Sequence, residues 1–528
     1  ADESVDPVTL SLGEGEYIKL VATATDGDGD SAEAEYDLSN TLYFEDDGPL
    51  FHSVMDAVLS SATTIAFNGL YNASFGADGL DFLSVALGEG GTYGGESVSF
   101  VQSDTAEPGT FKVDVTNGAN EVLFSFYYTT TTNAVSDGGD GSVEFHAFSS
   151  LTDPAGSPFF ELTINPDGTY TFEMISNEVI SSTTVNGEDF SAFGPIGEVS
   201  TDDLSLTIRG SDNVNASDQG IGVKTPKIDA GEWLEMDFAK SQTLVSFTLQ
   251  QWTGGAAVAL LAISFDGDLF DFNTAVAGDQ SLSTLKGTER ITVIVDADLA
   301  GTWAYNAGTK TYTIYVDSEF TELRLTHEGG NGFNINDITY DQITTIEDLT
   351  LNFELAVTDG DGDMSVLDDE LTVTMLDPEA VISATEDGVD ADNGVVLVGN
   401  GSSDTLIGGE GDDILIGELD NDNLTGNGGA DTFVFAEAGV DHADVITDYS
   451  FADGDKIDLG ALLDANFGVV SSTVTDFVQI TEVVGGATLQ VDVDGSGGDF
   501  VEVATLENVS AGDKVMLLIG GQEHEYIV

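Results

Sequence analysis

Residues 399–434 read GNGSSDTLI, GGEGDDILI, GELDNDNLT and GNGGADTFV, four consecutive units of nine residues. The register is G-G-x-G-x-D-x-U-x with U apolar, the signature of a parallel β-roll whose turns bind calcium. Glycines opening a unit let the backbone turn where a side chain would clash. The sixth position is an acid each time, Asp404, Asp413, Asp422 and Asp431, and carboxylates suit a hard divalent cation. Gly408, Gly417 and Gly426 join them as candidate metal-site residues, because calcium also accepts carbonyl oxygens. The eighth position is apolar (Leu406, Leu415, Leu424, Phe433), and is expected to point inward and stack on its counterparts. The third unit has Glu418 and Asp420 where glycines belong, which predicts a distorted turn. A flexible glycine- and aspartate-rich linker has no reason to keep period, acid and apolar position in phase.

The composition agrees. A chain of 528 residues holds several domains. Lys+Arg 12 against Asp+Glu 96 leaves a net charge of -84, which self-repels unless cations neutralise it. That balance excludes nucleic acid as a partner and excludes electrostatic docking on anionic lipid. With 41% hydrophobic residues, 30 Phe and 14 Tyr, the chain is too apolar for a disordered acidic tail. The folded state is therefore expected to need several calcium ions. Cysteine is absent, so neither disulfides nor thiolate metal sites contribute, as suits an extracellular chain stiffened by calcium. No apolar run is long enough for a membrane span, and no secretory h-region opens the sequence. Its first residues, ADESVDPVTL, read like the interior of something larger, or of a chain exported by another signal.

Alternating segments dominate the remainder: TYTFEM (169–174), LVSFTLQ (244–250), RITVIVDA (290–297) and KTYTIYVD (310–317). Glycine, aspartate and asparagine separate them, with 62 Gly and 9 Pro overall, which predicts antiparallel β-sandwiches. Residues 17–49 and 351–378 share one plan: a strand, the string TDGDGD, a second strand, then an acid close before proline. Asp26, Asp28 and Asp30, like Asp359, Asp361 and Asp363, place carboxylates at alternate positions between glycines, as a calcium loop requires. Asp46, Asp47 and Asp377 add acids at the linkers. If 351–378 closes a domain, its beginning lies upstream, where FFELTINPDGTYTFEM (159–174) has a strong hairpin turn at Asn165-Pro166-Asp167-Gly168. The intervening segment is then a guest inserted into a split domain.

The expected fold class is all-β, with tandem antiparallel sandwiches, one of them split by an inserted jelly-roll-like sandwich, followed by a parallel calcium β-roll. The expected divisions are 1–50, the end of an extender-like sandwich; 51–178 with 348–380, the split sandwich; 179–347, the inserted ligand-binding sandwich; 381–440, the nonapeptide roll; and 441–528, its cap and secretion region.

This order of modules resembles, over essentially the whole chain, the distal end of the giant repeats-in-toxin (RTX) adhesins of Gram-negative bacteria. The guest, with VNASDQGIGV, DAGEWLEMDF and GFNINDITYD, is similar to their calcium-dependent peptide-binding domain. The tail, with DTFVF, DVITDYSFADGDKIDL and VEVATLENV, looks like the end of a type I secretion substrate, whose export signal is C-terminal and uncleaved. The resemblance implies export through type I secretion machinery, retention at the bacterial cell surface, and adhesion to a peptide or protein on a target cell. It also implies a guest calcium with an open position for a ligand carboxylate.

Two guest loops are candidates for that site. Asp212, Asn213, Asn215, Ser217, Asp218, Gln219 and Gly220 form one oxygen-rich stretch; Asn331, Gly332, Asn334, Asn336 and Asp337 form the other. Adjacent first and last strands would bring the two together. Trp252, in QWTGG, reads as a loop-tip platform for a sugar or an apolar side chain; Trp233 reads as platform or core, and Trp303 as core. Catalysis has no motif: five scattered histidines, no H-E-x-x-H and no G-x-S-x-G. An acid-dyad glycosidase needs more assumptions than calcium ligation does. A glycan-binding guest and a purely structural segment are the other readings, and neither is an enzyme.

Overall fold

The computed structural model describes residues 18–38, 48–63, 65–151, 157–190, 195–202, 204–218, 220–250, 259–265, 268–269, 291–292, 301–306, 311–329, 332–346, 348–379, 381–386, 389–439, 442–471 and 473–528. The chain forms two compact units, Ala1–Asn177 with Ile346–Val528, and Glu178–Thr345. Each is taken by itself.

In the first unit, Lys19–Thr25 and Ser31–Asp37 form an antiparallel hairpin turned by TDGDGD, with Thr25 opposite Ser31. Further on, an antiparallel meander runs from Gly90–Tyr93 through Glu96–Asp104, Thr110–Thr116, Val122–Thr132, Val143–Phe148 and Pro158–Ile164 to Thr169–Met174. Asn165-Pro166-Asp167-Gly168 makes the expected turn, with Gly168 at φ 91 and Ile164 opposite Tyr170. Alternation places Tyr170 and Phe172 inward, where Phe126, Phe145, Phe160 and Phe353 build an aromatic core with rings 5.4–6.1 Å apart. Phe353 comes from Leu349–Asp359, which pairs with Leu80–Leu87 on one side and Leu371–Leu376 on the other. Strands before and after the guest thus share one core.

Leu371–Leu376 pairs in parallel with Asp56–Ser60, and Asp56–Ser60 pairs in parallel with Val395–Val398, the first strand of the roll on that side. The sandwich sheet therefore runs on into the roll. From Val395–Val398 the rungs continue through Ile414–Ile416, Thr432–Val434 and Lys456–Asp458 to Lys514–Ile519. The opposite sheet stacks Ile382–Ser383, Thr405–Ile407, Asn423–Thr425, Asp444–Ile446 and Val501–Glu507. Between the sheets, Val58, Leu397, Leu415, Phe433, Ile457 and Leu517 form one buried column, and Ile382, Leu406, Leu424, Ile446 and Leu506 the other. A nonapeptide cannot bury its own apolar residue, so each rung depends on its neighbours. The distorted turn expected of the third unit is instead kept, with Glu418 and Asp420 both at φ 71. A side chain in that left-handed region costs about 1–2 kcal/mol. Beyond the repeats, antiparallel hairpins close the roll.

In the second unit, Glu178–Val185 pairs antiparallel with Asn334–Thr345, and the end residues Glu178 and Thr345 lie opposite each other. Its buried core includes Leu206, Ile208, Val214, Leu234, Met236, Phe247, Leu323, Phe333 and Ile335. Leu206–Ser217 is one strand, because Val214 and Ala216 alternate inward along the stretch expected to be a loop. Trp233 is half-buried, with the Arg324 guanidinium 4.4 Å from its ring centroid, so it belongs to the polar face of the sheet. Trp303 lies on the strand Gly301–Asn306.

Candidate metal centre

The four sixth-position aspartates come together as two buried rows. Asp404 is 7% exposed, and Asp413, Asp422 and Asp431 are each 1% exposed. In three of them Oδ1 accepts a backbone N–H from the rung before it on the same side: Asp413 from Val395 at 2.7 Å, Asp422 from Asp404 at 2.7 Å, and Asp431 from Asp413 at 2.9 Å; Asp404 Oδ1 accepts instead from Asn400 Nδ2 at 3.3 Å. The second oxygens differ. In the first two units the second-position N–H fills it, Asn400 to Asp404 at 2.7 Å and Gly409 to Asp413 at 2.5 Å. In the last two units that residue is left-handed, Glu418 at φ 71 and Asn427 at φ 67, and the Oδ2 atoms of Asp422 and Asp431 are buried with no partner. A buried carboxylate oxygen without a donor is costly, and a cation removes the cost.

The glycines belong to the same device. A Cβ on Gly417 would sit 2.1 Å from Asp422 Oδ2, and one on Gly426 2.1 Å from Asp431 Oδ2. On Gly408 it would sit 2.4 Å from Asp413 Oδ2. Burial pushes the carboxyls up, to about 6 for Asp404 and Asp413 and to about 8 for Asp422 and Asp431. Neighbouring carboxylates, Asp444 beside Asp422 and Asp455 beside Asp431, push in the same direction. Acid-only rows, orphaned oxygens and glycine cradles fit calcium, which supplies the missing positive charge.

Three residues of the rows escape the nine-residue period. Asp444 Oδ1 accepts from Asp422 N at 3.0 Å and Asp455 Oδ1 from Asp431 N at 3.1 Å, across 22 and 24 residues. Asp56 accepts from Thr372 N and Asp390 N, both at 2.7 Å, and is 3% exposed. The available signal was Asp-x-apolar: Asp444-Val445-Ile446, Asp455-Lys456-Ile457 and Asp56-Ala57-Val58 each put the third residue into a column.

Both TDGDGD loops gather their acids. One ligand oxygen from each of Asp26, Asp28 and Asp30 lies within 4.8 Å of the others, as it does for Asp359, Asp361 and Asp363. The first group is exposed. In the second, Asp359 is fully buried; Oδ1 accepts from Gly362 N and Asp363 N at 3.1 and 2.9 Å, and Oδ2 has no partner. That orphaned oxygen makes the second loop the better cation site.

The guest residues divide differently. Ser217 pairs with Gly220 across a hairpin, and Ile221 pairs with Ile335, so Gly220 meets the other candidate stretch: its added Cβ would lie 2.6 Å from Asn334 Nδ2. Asn334 is fully buried, Asn336 Oδ1 accepts from Gly187 N at 2.9 Å, and Asp337 Oδ2 accepts from the Thr248 hydroxyl at 2.8 Å. Asp212 and Asn213 sit further back on the strand, exposed, beyond the half-buried Asn215. Lys224 Nζ lies 3.2 Å from Asp212 and 3.6 Å from Glu232, an ammonium where the oxygen-rich loop was expected to hold calcium. Gly332 packs against Asp229, and Asp218 sits in the turn between Ser217 and Gly220. Gln219, Trp252 and Asn331 lie outside the described residues. Among the described residues of this unit, the acids that gather are Glu235, Asp237 and Glu322, beside Arg209 and Arg324.

No curated protein matches the chain. Among solved structures, the catalytic domain of a GH87 alpha-1,3-glucanase with bound tetrasaccharides is 8% identical over 52% of this chain, at a TM-score of 0.14. The chain spans half of that structure, 50%. The collagen binding domain of the Erysipelothrix rhusiopathiae surface protein RspB is 10% identical over 62% of this chain and 93% of its own, at a TM-score of 0.11. Superpositions this poor carry no argument about fold or function. The family comparison agrees with the geometry: residues 398–433 match the RTX calcium-binding nonapeptide repeat in 4 copies, making this an RTX-repeat, calcium-binding chain.

Proposed function

We propose that the chain is the calcium-folded, ligand-presenting region of a secreted bacterial surface adhesin, with a binding and not a catalytic role. The observation that carries this reading is the pairing of the guest's two ends, Glu178 opposite Thr345. A unit with its own core, held by two adjacent strands, is a module displayed by its host. The roll supplies the calcium dependence and an export logic: little free calcium inside the cell leaves it unfolded, and millimolar calcium outside folds it. Its passage would use type I secretion machinery. The guest's partner is a peptide or protein on the target cell, met at the end where Gly220 adjoins Asn334, with Asn336 and Asp337 following on the same strand. Asp212, already paired with Lys224, is assigned no ligand role.

The test is adhesion of the purified chain to immobilised target-cell surface protein, with peptide and glycan arrays beside it. Binding in calcium that disappears in EDTA is expected, with peptide spots positive. Equal binding in EDTA rejects the calcium mechanism, and a glycan-only response replaces the peptide reading with a lectin.

A further inference from the structure

The host sandwich has a binding groove of its own. Across four strands, Thr110, Thr129, His146 and Glu161 lie in register as one row on the face opposite the aromatic core. Above this row is a cavity of about 640 Å³, open to solvent. Pro108, Phe148, Leu151, Pro158 and Ile175 supply apolar lining, and Glu107 stands at its edge. A solvent face of a sandwich is ordinarily polar and flat; this one is concave, with apolar walls around a few convergent polar groups, and falls in the ~300–1,000 Å³ range of ligand sites.

The polar groups are fixed. His146 Nδ1 is 3.1 Å from Glu161 Oε1 and its Nε2 is 3.2 Å from Glu144 Oε2. Only the protonated ring, with an N–H on each nitrogen, donates to both carboxylates at once. Among the described residues, neither lysine nor arginine lines the groove. Two lining carboxylates, Glu107 and Glu161, against one imidazole leave the groove negative even when His146 is protonated, which disfavours an anionic ligand. A ligand matching both features has a cationic head on an apolar stem. We infer that this groove takes a peptide through a lysine or arginine side chain, its methylenes against the apolar walls and its charge on Glu161 and Glu107. This site is independent of the guest unit.

The experiment uses the full chain in calcium, at an ionic strength of about 0.15 M to suppress unspecific attraction to so acidic a protein. The probes are fluorescent serine-glycine hexapeptides with one central lysine, arginine, glutamate or norleucine, read by anisotropy. Lysine and arginine probes should bind, and Glu161→Gln and Glu107→Gln should each weaken them about tenfold, the loss of one charged contact. Glu121→Gln, an exposed carboxylate on a distant turn, should change nothing. Ile175→Ser should weaken the charged probes while leaving the glutamate probe unbound. Norleucine binding as well as lysine, Glu121→Gln weakening binding as much as Glu161→Gln, or no probe binding at millimolar concentration would each overturn the inference.

Discussion

At Gly417 a hydrogen atom stands where any other residue would place a carbon 2.1 Å from Asp422 Oδ2. The comparison within the same repeats is Gly401, whose added Cβ would be no nearer than 3.8 Å to Leu419 Cδ1. Gly417→Ala should therefore abolish most of the calcium response in titration calorimetry, while Gly401→Ala retains it. The buried aspartates also set a pH dependence. Asp422 and Asp431 are raised to about 8 in the cation-free fold, chiefly by burial. A carboxyl raised above its unfolded value near 4 stabilises the fold below that value and loses the contribution as pH rises through 8. The unfolded and the calcium-bound chain both carry these carboxyls ionised above pH 6, so the calcium concentration at half-folding should rise from pH 6 to pH 8 as the protonated fold loses its contribution. A midpoint that falls across that window would contradict the raised carboxyls of Asp422 and Asp431.

Among the elements, the strand Asp56–Ser60 is a rung of the roll supplied by the sandwich. Asp56→Asn would leave one of its two N–H donors, Thr372 or Asp390, facing an amide hydrogen, at a cost of about 1–3 kcal/mol. Its expected signature is a higher calcium midpoint for the roll by circular dichroism, with the guest's own transition unmoved. The nine-residue period made the roll, its columns and its acids legible, because glycine, acid and apolar residue recur in fixed phase. Asp56, Asp444 and Asp455 were illegible for a matching reason: their partners lie at changed spacings or far along the chain, and Asp-x-apolar is too short to stand out in so acidic a sequence. The guest failed differently. Density of Asp and Asn in 212–220 suggested one loop, whereas Val214 and Ala216, alternating inward, hold a strand that separates Asp212 from Gly220. Nor did sequence show that Lys224 neutralises Asp212 from a neighbouring turn.

For the whole molecule, a charge of -84 makes compaction and cation uptake one process. The segment 390–528 on its own carries the repeats but lacks the Asp56–Ser60 rung, so it should fold with more calcium than the full chain needs, and remain coil in EDTA. Equal midpoints for fragment and full chain would show the sandwich edge to be a passive neighbour. Ser60 and Asn400, which share a hydrogen bond of 2.9 Å, are 340 positions apart, whereas successive rungs are joined across 18. Closing the longer loop from a random coil costs about 3 kcal/mol more. A sandwich already assembled around Leu371–Leu376 removes that penalty, since only a short connection then separates it from Val395. Assembly consequently has a direction. The host closes first, and the solenoid zips away from its edge toward the C-terminus, one ion-filled turn at a time.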